Sequence, residues 1–131
     1  MPQNGRKRIL VADNDVEVLI ALEHALETKG YDTSVALDAK EIFWAVSQVN
    51  IDALVLDDYL SDKDSIEVLA EFRREGMTPL VIITYHRYPS PRRQQQLFSL
   101  GASALINKGA HSELARMVDC LFELQTISAS R

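Results

Sequence analysis

The stretch Ala53-Leu-Val-Leu-Asp-Asp-Tyr-Leu-Ser-Asp-Lys-Asp64 opens with four apolar residues and then places four carboxylates in eight positions, 57 to 64. A short apolar run bounded by turn residues reads as a strand covered on both faces, and such strands belong to parallel sheets. One aspartate after a strand is ordinary turn chemistry, because its side chain bonds nearby backbone. Four of them where the apolar run stops raise a question about charge.

Outward from this stretch the same pattern recurs. Arg8 to Ala12 is an apolar run stopped by Asp13-Asn14-Asp15, and Val16, Leu19, Leu22, Ala25 and Leu26 follow at helical spacing until Gly30. Thr33 to Leu37 reads as a second strand. Asp38 then caps a helix that carries Ile42, Val46 and Val49 on one face and Trp44 off it. Beyond the acidic stretch, a helix from Ser65 to about Glu75 turns Ile66, Leu69, Ala70 and Phe72 inward and ends at Gly76. Leu80 to Thr84 is a fourth apolar run. A polar helix from about Arg92 to Leu100, burying Leu97, Phe98 and Leu100, follows and ends at Gly101. Ala104 to Asn107 is the fifth strand, and Leu114, Met117, Val118, Leu121 and Phe122 mark the stripe of a last helix.

Five strands alternating with five helices imply an α/β fold: a five-stranded parallel sheet with right-handed crossovers and helices on both faces. The expected architecture is a doubly wound (βα)5, flavodoxin-like sheet of order 2-1-3-4-5. At 131 residues the chain suits one domain, 1–131, with its core at about 8–124 and short tails; such a domain buries roughly two thirds of its unfolded surface.

Nineteen acidic against fourteen basic residues give a net charge of -5, and the basic residues are dispersed apart from runs such as Arg6-Lys7-Arg8 and Arg92-Arg93. Direct nucleic-acid binding is disfavoured. Cys120, the one cysteine, reads as a small reduced hydrophobe, and no apolar run approaches the roughly 18 residues of a membrane span. A cytoplasmic protein is expected. His24 and His111 lack metal-ligand spacing.

In an open parallel sheet, ligands bind outside the carboxyl ends of the strands. The residues there are Asp13 and Asn14, Asp57 and Asp58, Thr84, and Lys108. Converging oxygen-rich side chains repel one another unless a cation joins them, and Mg²⁺ (or Mn²⁺) suits them because it takes oxygen ligands and keeps several waters. A hydroxyl and an ammonium opposite, Thr84 and Lys108, complete a cage for phosphoryl oxygens, with Asp57 as nucleophile.

From about Arg8 to Leu124 the chain resembles the receiver domain of two-component response regulators, and of chemotaxis regulators in particular. Asp57-Asp-Tyr-Leu-Ser-Asp-Lys-Asp-Ser65 is similar to that family's Asp-x-x-x-Pro-x-x-Asp-Gly loop, and Gly101-Ala-Ser-Ala-Leu-Ile-Asn-Lys108 to its Gly-Ala-x-x-x-x-x-Lys segment. The resemblance implies that Asp57 accepts a phosphoryl group from a sensor histidine kinase or phosphotransfer protein. Mg²⁺ would be held by Asp13, Asn14, Asp57 and the Tyr59 backbone carbonyl, assisted by Thr84 and Lys108. It implies a protein that catalyses its own phosphorylation and dephosphorylation rather than a conventional enzyme. The phosphorylated form would switch an output protein or domain, with a homodimer through helix 4, strand 5 and helix 5 among the arrangements the family uses. On this reading the other acids of the opening stretch hold metal, while Asp64 is turn structure.

The chain departs from the family pattern at several points. Asn14 stands where a second carboxylate is usual and so predicts weaker Mg²⁺ binding, while Asp15 reads as a helix start. Ser61, Ser65 and Gly109 replace the loop Pro, the loop Gly and the Pro after the Lys. Tyr85 replaces a small residue, and Leu105 stands where an aromatic switch is common. Tyr59 and His86 occupy the variable positions that tune phosphoryl lifetime.

Three other functions compete with this one. A receiver-like interaction module that does not cycle phosphate is the main alternative, motivated by Asn14, Tyr85 and Leu105. Ile9-Leu-Val-Ala-Asp-Asn-Asp15 also resembles the nucleophile motif of haloacid-dehalogenase-like phosphatases, but those place their Asp-Asp pair after the Thr and Lys. A flavodoxin-like electron carrier is excluded by Asp13, which would repel the FMN phosphate, and the glycines form no dinucleotide motif.

Overall fold

The computed structural model describes residues 5–129, so the outermost parts of the expected tails lie outside the described residues. Five strands and five helices alternate: β1 (Arg8–Ala12), α1 (Val16–Thr28), β2 (Asp32–Ala36), α2 (Ala39–Gln48), β3 (Ala53–Asp57), α3 (Ser65–Arg74), β4 (Leu80–Tyr85), α4 (Pro91–Ser99), β5 (Ala104–Asn107) and α5 (His111–Ala129). All strand pairs are parallel, in the order β2-β1-β3-β4-β5. This is the doubly wound order expected from the sequence. Among the described residues no helix is long and apolar enough to cross a membrane.

The continuous apolar runs are explained by helices on both faces of the sheet. Every residue of β3 is buried. Leu10, Leu54, Leu56, Val81 and Ile83 face α2, α3 and α4, where Ile42, Leu69, Phe72 and Leu97 meet them. Ile9, Val11, Val55 and Ile82 face α1 and α5 and pack on Leu22, Leu26, Leu114 and Val118.

Helix ends follow local chemistry. Asp15 accepts from the Glu17 N–H and starts α1, and Asp64 forms a capping box with Glu67 at the start of α3. Gly101 ends α4 at φ +100, and a Cβ there would strike the Arg73 guanidinium. That close approach lets Arg73 donate to the Leu100 carbonyl at 2.6 Å and to the Met77 carbonyl at 2.9 Å, fastening the C-terminal end of α4 to α3.

Four burial expectations fail. Phe98 is 47% exposed, because only Leu97 of α4 is fully inward and its neighbour is turned some 100° around the helix. Val49 ends α2 as its C-cap with extended backbone and leaves the helical stripe. Cys120 is exposed on α5 rather than packed among the apolar residues around it. Val16, counted in the α1 periodicity, is exposed as well.

Candidate functional site

Strand register brings four of the expected residues to one place. Ala12 and Leu56 are partners on β1 and β3, so Asp13 and Asp57 emerge side by side. Asp57 is the register partner of Thr84 on β4. Lys108 follows β5, and its backbone N–H donates to the Tyr85 carbonyl at 3.0 Å.

Each carboxylate bonds its own loop with one oxygen and faces Lys108 with the other. Asp57 Oδ1 accepts from the Tyr59 N–H at 3.3 Å, and Oδ2 accepts from Lys108 Nζ at 2.9 Å. Asp13 Oδ1 accepts from the Asp15 N–H at 2.9 Å. Asp13 Oδ2 stands 3.0 Å from the same Nζ, an ion pair not aimed as a hydrogen bond. One ammonium thus serves two carboxylates, both almost wholly buried, and the pocket keeps one unbalanced negative charge. Burial pushes the Asp57 carboxyl above its usual range; the hydrogen bond from Lys108 opposes this and the charge of Asp13 adds to it. Burial acts against the Lys108 ammonium, but its hydrogen bond to Asp57 and the nearby charges of Asp57 and Asp13 outweigh that and hold it protonated more firmly than an ordinary lysine.

Thr84 is 1% exposed and its Oγ1 has no hydrogen-bond partner among the described residues. An unpaired buried hydroxyl costs about 1–3 kcal/mol, so its placement here calls for an acceptor that the folded chain does not itself supply.

The remaining acids of the opening stretch do not converge on this pocket, which corrects the expectation that they hold metal. Asp58 is buried and its two oxygens accept from Arg93 Nε at 3.0 and 3.1 Å. Asp62 accepts from the first two N–H groups of α2, Ala39 at 2.9 Å and Lys40 at 3.1 Å. Asp64 caps α3 and also binds Arg93 at 2.5 and 3.0 Å. Among the described residues no group of three or more His, Cys, Asp or Glu is disposed to hold a metal. The oxygens that the structure places at the pocket are those of Asp13 and Asp57; the other two expected donors, the exposed Asn14 and the Tyr59 carbonyl, lie on the segments that leave β1 and β3. They are all hard oxygens, and Asp13 Oδ2 lacks a hydrogen bond. That set fits a Mg²⁺ or Mn²⁺ ion that retains several waters, with less charge than a third carboxylate would give.

The residues expected to modulate the site lie just past β3 (Tyr59), at the end of β4 and just beyond it (Tyr85, His86), and on β5 (Leu105). Tyr59 is exposed, its ring 4.3 Å from the Arg93 guanidinium carbon. Tyr85 is half-buried and meets Tyr88 edge-on at 5.3 Å, His86 is exposed, and Leu105 is half-buried against the core beneath α2, α3 and α4. Sequence reasoning missed Arg93. A signal was there, since α4 has no acid in its first turn, and a cation at a helix N-terminus is unfavourably placed unless carboxylates outside the helix receive it.

The sequence profile of the response regulator receiver domain matches residues 9–119. The chain belongs to the response regulator receiver family. It is 34% identical over 79 residues to the alkaline phosphatase synthesis transcriptional regulatory protein PhoP of Bacillus subtilis, a match covering 60% of this chain and 33% of that protein. The matched segment therefore spans about a third of that relative's length. Among solved structures, the receiver domain of the Francisella response regulator 1452 superposes with a TM-score of 0.82 at 26% identity, covering 92% of this chain and 99% of that one. The response regulator TrrA of Thermotoga maritima, solved in complex with Mg²⁺ and beryllofluoride, gives 0.76 at 25% identity over 88% and 98% of the two chains.

Proposed function

We propose that this receiver accepts a phosphoryl group on Asp57 from the phosphohistidine of a sensor kinase or phosphotransfer protein and thereby switches an output protein or domain. The observation that carries the reading is the single Lys108 ammonium shared by Asp13 and Asp57 beside the orphaned Thr84 hydroxyl. A carboxylate oxygen of Asp57 attacks phosphorus in line, and the bond to the donor nitrogen breaks as the new P–O bond forms. Lys108 neutralises charge on one phosphoryl oxygen, and Thr84 donates its hydroxyl to another. Asp13, Asn14, Asp57 and the Tyr59 carbonyl are the groups that would hold Mg²⁺ or Mn²⁺, which supplies charge neutralisation on the transferred group. The chain catalyses its own phosphorylation and dephosphorylation, in the cytoplasm, without being a conventional enzyme.

Output is read through Tyr85 and the 85–91 loop, while Leu105 serves as packing. Tyr85, Leu105, Met117 and Cys120 line a shallow groove between the end of β4, β5 and α5, which supports the β5 and α5 side of the α4, β5 and α5 face as the surface met by an output domain, a partner or a second copy.

Acetyl phosphate with Mg²⁺ should label the wild type and fail to label Asp57→Asn, as judged by intact mass. Labelling retained in that variant would move the nucleophile to Asp13 or Asp58. A wild type that is never labelled would instead leave an interaction module that does not cycle phosphate.

A further inference from the structure

Helix α4 is held at its two ends by two arginines, and by little between them. Leu97 is its one fully buried side chain, and Leu100, just past its end, is half-buried. At the C-terminal end, Arg73 of α3 binds the Leu100 carbonyl, in the approach that Gly101 permits. At the N-terminal end Arg93 reaches into the loop that follows the phosphoacceptor. Its Nε donates to both oxygens of Asp58. Its Nη2 donates to the Asp58 carbonyl at 3.0 Å, to Asp64 Oδ1 at 2.5 Å and to Ser65 Oγ at 3.1 Å, and Nη1 donates to Asp64 Oδ2 at 3.0 Å. Ser65 Oγ in turn donates to Asp58 Oδ1 at 2.9 Å. The guanidinium thereby joins both ends of the 58–65 segment, and the Tyr59 ring lies against it.

The next residue of α4 faces the other loop at the pocket. Gln94 Nε2 donates to the Pro89 carbonyl at 2.7 Å, and Tyr88, which supports Tyr85, bonds Gln94 at 3.5 Å. The first turn of α4 is thus tied to the segments that follow both Asp57 and Thr84. Burial opposes the charge of Arg93, but its bonds to Asp64 and Asp58 outweigh this and keep it fully protonated. A planar fork with fixed donors holds several acceptors in one geometry, whereas a lysine ammonium would act as a point charge.

We infer that Arg93 is the positioning residue that couples occupancy of Asp57 to the N-terminal end of α4. A phosphoryl group on Asp57 displaces the 57–59 backbone, Asp58 carries that displacement to the guanidinium, and α4 turns about the end fixed by Arg73. By linkage, any partner that binds α4 more tightly in one position changes the affinity of the pocket for its phosphoryl ligand by the same factor. The inference rests on Asp57 being the acceptor.

The test uses beryllofluoride and Mg²⁺ as phosphoryl mimic, with calorimetry for binding and amide hydrogen exchange at residues 94–100 as the readout of α4, in wild type, Arg93→Lys and Arg93→Gln. In the wild type the mimic should bind and change protection along α4. In both variants it should bind with a dissociation constant within about fivefold of wild type, the low end of ordinary coupling. The α4 response should be partly retained in Arg93→Lys and lost in Arg93→Gln. Should Arg93→Gln fail to fold, the reduced response of Arg93→Lys decides. An undiminished response in the folded variants overturns the inference, and so does loss of mimic binding in Arg93→Lys, since Arg93 would then be holding the pocket together. A wild type that does not bind the mimic overturns the acceptor reading, and the inference falls with it.

Discussion

Thr84→Val should move stability and function in opposite directions. The Thr84 hydroxyl is buried and without a hydrogen-bond partner, a condition that costs about 1–3 kcal/mol. Valine has nearly the same shape and puts a methyl where the hydroxyl was. That methyl adjoins a pocket holding Asp13, Asp57 and Lys108 rather than pure hydrocarbon, so the low end of the range applies, about 1 kcal/mol of stabilisation. For a chain of this size that is a rise in Tm of about 4 °C. The phosphorylated state loses a charge-assisted hydrogen bond of about 1.5–3 kcal/mol, which is about a 10- to 150-fold weaker dissociation constant for beryllofluoride. The assays are a thermal melt without ligand and a calorimetric titration with Mg²⁺ and beryllofluoride. A variant that melts lower than wild type and binds the mimic equally well would refute the reasoning, because the hydroxyl would then be structural.

Other outcomes follow from the same geometry. Asn14→Asp adds a charge at the pocket; at an effective dielectric near 20 a charge pair about 4 Å apart is worth roughly 4 kcal/mol before desolvation, repulsion and solvent screening reduce it. With about 1 kcal/mol remaining, the Mg²⁺ dissociation constant should fall by about fivefold in a fluorescence titration, and an unchanged constant would remove Asn14 from the site. Asp62→Ala strips two N–H groups of α2 of their acceptor and should destabilise the fold by about 0.5–1 kcal/mol at pH 7, the low part of the capping range because Asp62 is exposed and screened. Burial works slightly against the Asp62 charge, but the amides of Ala39 and Lys40 hold its pKa below the ordinary carboxylate value. Its contribution is therefore complete above that value and lost as pH falls through the lowered one, so the melting difference should close in strong acid. NMR shifts on adding beryllofluoride should shrink across the 85–91 loop in Tyr85→Ala and persist in Leu105→Ala; the reverse pattern would return output to the β5 position.

The fold was legible because its signals are local and repeated. Apolar runs, helical periodicity and the glycines at 30, 76 and 101 each mark an element without reference to its neighbours, and five alternations leave few topologies. The pocket residues were legible for a related reason, since each lies at or next to the carboxyl end of a strand of the sheet. Burial of single side chains was less legible. In a nine-residue helix such as α4, the difference between Leu97 inward and Phe98 outward depends on where the helix axis settles, which no periodicity in the helix records. The partners of the acids were not legible at all. Asp58 and Arg93 lie 35 residues apart, and Asp62 meets Ala39 across 23, so nothing local distinguishes them from solvated turn residues.

Those partners answer the question the acidic stretch poses. Outside the pocket every carboxylate meets donors on a helix: Asp62 the N-terminus of α2, Asp64 the first turn of α3, and Asp58 and Asp64 together Arg93 of α4. Their charge is met locally by Arg93 and by helix N-termini, and the charges that act on Asp57 are those of Asp13 and Lys108. The segment is also fastened to three helices at once, and its backbone cannot follow a change at Asp57 without displacing at least one of them. Of the three, α2 and α3 carry two and four buried side chains respectively, while α4 carries one. The weakest hydrophobic anchorage belongs to the helix with the strongest ionic tie, so a displacement that starts at Asp57 is resisted least along the path through Asp58 and Arg93 into α4.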